Sequence, residues 1–455
     1  MSTVDKQHPE YIKFSAKWRR CRDAYNGQDA MHEAGQLYLP MLKSEDETDY
    51  KSRLKLTGFY NATKRTHEGL KGLLYRKPPI IEIPANGQQF VDDITNSGQS
   101  LISFANEVSE QDLLIGRVGI IVDSPQDFTG GMTLSDLAAS NIRPFLKIYP
   151  AESIINWRYE RINNKTMLSM VVLKEQHVEQ KNEFEQENEV QYRVLDLSQG
   201  YYRQRVFEIN EKGEDELISE TTPLVNGRPL FELPFYLSDD GDIDEPPLLD
   251  LVNINIAHYR VTSDYETGCH FCGIPTAFIT GYQKENQNER LYLGSPNAYC
   301  LPDPGATAFF LEFSGQGLGA LENNLAKKEE QMAILGARLL AGEKRAVEAA
   351  ETVAIRRANE NSVLENIAQE ESYTLNKALA MLCQWAGIQP ITIELNRDFI
   401  GTPLSGADIT ALVDTYLKGG ISQETLFFNL KAGEIYPDNT TFEEEQAKIT
   451  TAPIA

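Results

Sequence analysis

Apolar positions fall into three regimes along the chain. Between residues 10 and 76, Trp18, Cys21 and Tyr25, and then Leu54, Phe59, Leu70, Leu73 and Leu74, recur at helical offsets, broken by Leu39-Pro40 and the acidic run Ser44 to Asp49. This pattern predicts a helical block that ends at Lys77-Pro78-Pro79, followed by a short strand from Ile80 to Ile83. A helix from about Leu101 to Leu114 then feeds Gly116 to Asp123, whose β-branched content suits a buried strand. From Phe145 to Leu237 the period switches to two. Ser153 to Tyr159, Met167 to Leu173, Val190 to Leu197, Tyr201 to Ile209, Leu217 to Thr222 and Leu230 to Leu237 are separated by polar turns such as Ser198-Gln199-Gly200 and Glu211-Lys212-Gly213. An antiparallel meander is the simplest arrangement, with the polar stretch Gln180 to Glu189 as a long hairpin tip.

The third regime is long-range helical. After the acidic, turn-forming segment Asp239 to Pro247, a helix is expected from Pro247 to Phe271, with proline in its first turn and acids near its N-terminus, where the helix dipole favours them. At 1.5 Å per residue it would be roughly 37 Å long. Leu248, Leu251, Val252, Ile254, Tyr259, Val261 and Tyr265 spread around it too widely for one stripe, so it needs partners on more than one side. Gly273-Ile274-Pro275 ends it. Short strands follow at Thr276 to Gly281 and within Tyr299 to Phe313, then helical regions from Leu318 to about Leu340 and onward to Gly387, where glycine acts as the stop. The tail reads as a strand from Ile391 to Leu395, helices Ser405 to Leu417 and Ser422 to Ala432 opened by serine caps, and a charged end containing Glu443-Glu444-Glu445. The fold class is α+β.

Composition narrows the function classes. The 455 residues are ample for a sizeable core, and 43 Lys plus Arg against 67 Asp plus Glu give a net charge of −24. So acidic a chain is not built to clamp nucleic acid statically, which requires surplus Lys and Arg on the contact face. The longest uncharged stretch, Thr267 to Gln283, contains Pro275 and three glycines and is too short and too polar to span a bilayer. Met1 to Pro9 shows no targeting pattern, and five scattered cysteines fit a reducing compartment better than a disulfide framework. The expectation is a protein that is intracellular at synthesis.

Candidate chemistry is sparse. Cys269-His270-Phe271-Cys272, with His258 eleven residues before Cys269, invites a metal or redox reading, but a closed zinc site needs four convergent ligands and only one C-x-x-C is present. Small buried hydrophobes are the better account of the cysteines. Asp240, Asp242 and Asp244 alternate as in a calcium loop, yet Glu245 and Leu251 stand where such a loop needs Gly and Glu. No phosphate-binding loop, nucleophile elbow or H-E-x-x-H pair occurs. No catalytic residue, metal site or cofactor is assigned, and the chain is read as a non-enzyme. One local feature departs from the acidic background: Arg338, Lys344, Arg345, Arg356 and Arg357 against three acids between Arg338 and Arg357. A solvated helical face explains that excess by itself.

The ordered set of segments resembles bacteriophage portal proteins, in particular a branch catalogued only as a phage-encoded domain of unknown function. The resemblance lies in Tyr38-Leu39-Pro40 with Tyr50 to Arg53, Asn61-Ala62-Thr63, Gly72 to Pro78, Gly116 to Gly119 with Val122 to Pro125, Pro246 to Leu251 with Asn255 to Arg260, Pro275 with Thr280-Gly281, Asn396 to Phe399, and Gly433 to Pro437. These pieces span nearly the whole chain; each is short, and their order carries the match.

The resemblance implies a portal-like fold and a dodecameric ring at one capsid vertex. Residues 1–245 would form a wing of helices and antiparallel strands, 246–272 a first stem helix, 273–316 a small α/β clip, 317–338 a second stem helix, 339–350 a tunnel loop, 351–388 a long wing helix, and 389–455 a helical crown and tail. It implies transient, non-specific contact with double-stranded DNA, and as partners the terminase large subunit, capsid and scaffolding proteins and a head–tail adaptor. The site would be the virion, after assembly in the bacterial host cytoplasm. Lys344 and Arg345 would face DNA from the tunnel loop with Glu343 limiting their grip, and Arg338, Lys327 and Lys328 would be further basic residues of the channel. Another head-completion ring protein, or an enzyme using Cys269, Cys272 and histidines, are the alternatives.

Overall fold

The computed structural model describes residues 3–43, 45–124, 143–162, 164–225, 227–239, 241–273, 276–280, 305, 307–311, 317–336, 350–397, 399, 406–433, 435–436 and 440–451. Helices and antiparallel sheets are mixed in an α+β fold. The chain divides into two compact units that interleave in sequence: one comprises Met1–Ser15, Glu68–Pro246 and Lys344–Ala455, the other Ala16–His67 and Pro247–Glu343.

The first unit is built around sheets. Helix α6 (Leu101–Ile115) is opened by Ser100, whose hydroxyl accepts from the Ser103 N–H, and closed by Gly116 at φ 76°. It leads into β2 (Val118–Asp123), which lies between β3 (Phe145–Pro150) and β11 (Phe235–Leu237). Gly119 is required there: a Cβ would strike the Phe235 ring and lie 2.9 Å from Ile154 Cδ1. Five of the six strands expected in the meander form one antiparallel sheet, β4 (Ile154–Ile162), β5 (Lys165–Gln180), β6 (Gln186–Asp196), β7 (Arg203–Ile209) and β8 (Asp215–Thr221), whereas the sixth segment, Leu230 to Leu237, supplies β11 to the sheet of β2 because Phe235 to Leu237 pair with Gly119 to Ile121. Pairing of β5 with β6 runs out to Gln180 opposite Gln186, so the tip is five residues rather than the ten expected. Strand β4 leaves β5 at Leu173 and β7 leaves β6 at Gln191, so the outer part is a two-stranded ribbon, about 20 Å long at ~3.3 Å per residue.

The long helix α9 (Ala350–Ala386) packs on this unit through Leu364, Ala368, Leu375, Ala378, Leu379 and Leu382, all buried with Phe104, Val108, Ile120, Val122 and Leu173 in one core. Gly387, at φ 68°, ends it as expected. Strand β14 (Thr392–Glu394) returns to pair with β1 (Ile80–Glu82), joining positions more than 300 residues apart. The tail contains α10 (Gly406–Leu417), α11 (Gln423–Ala432), capped by the Ser422 hydroxyl, and α12 (Phe442–Thr451), where only a charged segment was expected.

The second unit is helical. Its N-terminal layer comprises the part of α1 (Pro9–Asn26) from Ala16 onward, α2 (Gln28–Ala34), α3 (Glu47–Leu56) and the start of α4 (Ala62–Leu74). Asp46 caps α3 by accepting from the Thr48 and Asp49 N–H groups. Against this layer lies α7 (Leu249–Gly273), which starts after the two prolines rather than on them. Strands β12 (Thr276–Thr280) and β13 (Thr307–Leu311) pair antiparallel, and α8 (Leu318–Leu335) follows.

Candidate functional site: the paired long helices

Helices α7 and α8 run antiparallel along their whole length. Leu251 meets Gly336, His258 meets Glu329, and Gly268 meets Leu318. The glycines allow the close approach: a Cβ on Gly268 would lie 2.7 Å from Leu318 Cδ2, and one on Gly336 2.7 Å from Leu251 Cδ1. Leu318, Leu321, Leu325, Lys328 and Met332 form the sheltered stripe of α8, spaced three and four apart, while the rest of the helix is largely exposed.

The broad apolar surface of α7 has the partners it needs. One side meets α8, and another is tied to the N-terminal layer by polar bonds. Asn255 accepts from the Thr63 hydroxyl at 2.9 Å and donates to the Tyr60 carbonyl at 2.8 Å. Arg260 donates to the Tyr38 carbonyl at 2.7 Å. Arg53, buried on α3, reaches Ser263 at 3.0 Å and makes a two-pronged pair with Glu45 at 2.6 and 2.8 Å. That hydrogen-bonded pair holds Glu45 below the usual carboxylate range. Several residues that carried the sequence resemblance, Tyr38, Arg53, Thr63, Asn255 and Arg260, are thus the ones that fasten α7 to its layer, while Asn61 donates to the Tyr25 carbonyl within the layer itself.

The expected DNA-facing residues Arg338, Glu343, Lys344 and Arg345 lie outside the described residues. Lys327 and Lys328 are described: Lys327 is exposed on α8, whereas Lys328 is half-buried on the stripe facing α7, beside His258. His258 does not join Cys269 and Cys272. It sits 3.4 Å from Glu329, stacks at an angle on Tyr60, and burial lowers its pKa. Among the described residues no three His, Cys, Asp or Glu side chains gather to hold a metal ion, and no helix is long and apolar enough to cross a membrane. Of the proposed calcium-like run, Asp240 lies outside the described residues.

Two features went unread in the sequence. The first is a buried ionisable cluster in the sheet unit. Arg117 is wholly enclosed, its guanidinium 4.2 Å above the Trp157 ring and bonded through Nη1 to Asp239. Burial pushes Asp239 up to about 6 against the pull of Arg117. Asp112 accepts from Ser238 at 2.7 Å, and burial, reinforced by Asp239, Glu370 and Asp244, pushes it up to about 7. Glu371 of α9 is fully buried, accepts from Ser109, and is raised well above the carboxylate range by burial and by Asp112; Tyr75, whose hydroxyl is 3.0 Å from Ser109, completes the group. Only Asp239 of the three carboxylates is paired with Arg117, and burial beside Asp112 favours the neutral form of Glu371. Nothing in the sequence separates these three acids from the other 64.

The second feature was legible. Between Lys13 and Arg22 there are five basic residues and no acid, and between Lys51 and Lys77 eight basic residues and one acid, in a chain of net charge −24. Counting charge in windows from the N-terminus would have found both, a stronger local excess than that near Arg345.

Residues 247–386, from α7 to the end of α9, match a family described as a domain of unknown function (DUF4055). No curated protein matches. Among solved structures, the chain is similar to one from the virion of a native gene transfer agent (GTA) particle, at 11% identity and TM-score 0.40, covering 88% of this chain and 98% of that one. It is also similar to a chain from the neck of an empty GTA particle with C6 symmetry, at 13% identity and TM-score 0.41, covering 86% and 95%. A third is from the neck of a native GTA particle with C12 symmetry, at 12% identity and TM-score 0.38, covering 88% and 98%.

Proposed function

We propose that the chain is a portal-type subunit: a ring former at one capsid vertex that conducts double-stranded DNA during packaging and ejection, and on which the terminase large subunit and a head–tail adaptor dock. The observation that carries this reading is the α7–α8 pair. A long helix fastened along its middle by Thr63, Tyr38 and Arg53, and doubled back through strands β12 and β13, is a rigid strut whose outer helix keeps most of its surface for a neighbour. It stands where the ordered segments resembling portal proteins require two stem helices. In this reading 1–245 is the wing, 246–272 and 317–338 the stem, 273–316 the clip, 339–350 the tunnel loop, 351–388 the wing helix and 389–455 the crown.

Charge supports a conduit rather than a clamp. A duplex pushed by a motor stalls on a wall that neutralises many phosphates, whereas a wall of acidic subunits keeps it centred and weakly held. Lys344 and Arg345 make passing phosphate contacts, Glu343 weakens them, and Arg338 and the exposed Lys327 add to the basic residues along the path, whereas Lys328 is turned toward α7. The protein supplies no hydrolysis; that belongs to the terminase. The test has two parts. Electron micrographs of purified protein are expected to show annular particles with a central hole, and a compact monomer at every concentration and salt tried overturns the reading. Lys344→Glu with Arg345→Glu is expected to leave rings intact and to reduce packaged DNA; unchanged packaging removes those residues from the path.

A further inference from the structure

The outer part of the β5–β6 hairpin has two chemically different faces. Gln176, Val178 and Gln180 alternate onto one face, opposite Val190, Asn188 and Gln186, and none of the six is charged. Glu187 and Glu189 fall on the other face with His177, and Glu183 and Glu185 flank the tip. Six acids against one lysine lie between Glu175 and Glu189. At the tip Phe184 is 90% exposed, and Val178 and Val190 are exposed behind it. A two-stranded ribbon with open edges is marginal by itself, and an extended apolar tip on it has no role in the core of its own chain.

The helical layer of the other unit has the complementary chemistry. Residues 16–67 carry ten basic and seven acidic side chains, a positive balance in a chain of −24. Lys51, Lys55, Lys64 and Arg65 are exposed, and Lys55 and Arg65 have no ion pair among the described residues. Exposed Leu37, Leu42, Leu56 and Tyr60 belong to the same layer. A surface mixing cations with apolar side chains matches the ribbon face that carries Glu187 and Glu189 behind the exposed Phe184 tip.

We infer that the β5–β6 ribbon of one copy docks on the basic, apolar α1–α4 layer of the next, with Phe184 as anchor and Glu183, Glu185, Glu187 and Glu189 facing Lys51, Lys55, Lys64 and Arg65. This rests on the ring reading above and deepens it. The two surfaces are different patches of one chain, so the contact is heterologous, the type that closes into rings. A second copy is favoured over nucleic acid because phosphates would engage the cations but leave the exposed Phe184 at the tip uncovered. It also shows how copies of charge −24 approach: the repulsion is relieved where the sign reverses locally.

Three full-length variants test this by sedimentation and electron microscopy at increasing salt: Glu187→Lys with Glu189→Lys, Lys55→Glu with Arg65→Glu, and all four together. Each pair should raise the concentration needed for rings by about tenfold or more, since a tenfold change needs only about 1.4 kcal/mol. The fourfold variant, with the signs exchanged, should recover most of the loss. Phe184→Ser should weaken assembly at every salt concentration. The positions are exposed, so circular dichroism should be unchanged; the lost Lys181 contacts to Glu187 and Glu189, at 3.7 and 3.2 Å, are surface pairs of small worth. Wild-type rings with both pairs assembling normally, or a fourfold variant no better than the pairs, overturn the docking inference and leave the ring reading standing. Intact rings with lost DNA binding in Lys55→Glu/Arg65→Glu assign the layer to nucleic acid instead and also overturn it. Absence of wild-type rings overturns both.

Discussion

Asp112→Asn should stabilise the protein at pH 8 and do little at pH 4. Asp112 lies inside the sheet unit, faced by Ser238 and Asp239 from the segment after β11, by Glu370 and Glu371 from α9, by Asp244, and by Arg117 through its bond to Asp239. Its carboxyl titrates near 7 in the folded chain against an ordinary 3.8. The folded state therefore binds more protons than the unfolded one between those values, and stability is lost as pH rises through that window. A rise of about 3 pH units corresponds to about 4 kcal/mol as a ceiling, and relaxation around the charge brings the expected gain to about 2 kcal/mol. The asparagine carbonyl can accept the same Ser238 hydrogen bond, so the substitution removes charge without removing the acceptor. Urea unfolding followed by tryptophan fluorescence at a series of pH values measures the difference. The wild-type midpoint should fall from about pH 4 to pH 8, and that of Asp112→Asn should flatten. An equal effect at both ends, or destabilisation confined to alkaline pH, refutes the argument.

Other substitutions probe separate links. Arg53→Ala strands Glu45, which is 8% exposed, and should cost about 3–5 kcal/mol in chemical unfolding, with Glu45→Gln/Arg53→Met losing less. Gly119→Ala should cost upward of about 2 kcal/mol because Phe235 and Ile154 already fill its space, and Phe235→Leu should return part of it in a thermal melt. Glu175, although burial opposes its charge, is drawn down to about 2 by Arg193, Lys147 and Tyr149; its contribution is present above the ordinary 4.5 and is lost as pH falls toward 2, so Glu175→Gln should make the protein less sensitive to acid unfolding. Ser422→Ala removes the bond to the Thr425 N–H and should lower the helicity of α11, at a cost of about 1 kcal/mol.

The elements legible in the sequence are those fixed by local rules. The meander shows because alternation and turn residues are short-range signals, and α6, α9 and α11 show because Ser100, Gly387 and Ser422 punctuate them. The broad apolar surface of α7 was also readable, since leucines on several faces of one helix demand several partners. Pairing of Ile81 with Ile393 was not, because a three-residue strand carries no signal for a partner 312 positions away. Hairpin length was misjudged for a physical reason: the ribbon is held by its own backbone bonds, and polar residues that look like loop are tolerated on both exposed faces. The buried cluster around Arg117 was hidden because its members became a group only on folding. The basic run from Lys51 to Lys77 is legible in the sequence, since an excess of eight cations over one acid within a short window needs no folding to appear.

The interleaving of the two units governs when this polypeptide can mature. Helices α2 and α3 leave the ribosome long before α7, yet Thr63 finds Asn255 only after 192 further residues, and β1 waits for β14, which is nearly the last strand made. At ~5–20 residues per second the Thr63 amide and the Arg53 guanidinium wait about 10–40 s for Asn255 and Ser263, and the edge of β1 waits about 15–60 s for its mate. Nascent chains are therefore exposed to aggregation for most of their synthesis, and chaperone engagement should centre on the first eighty residues. Truncation anywhere before Leu395 should yield insoluble fragments rather than a stable N-terminal half.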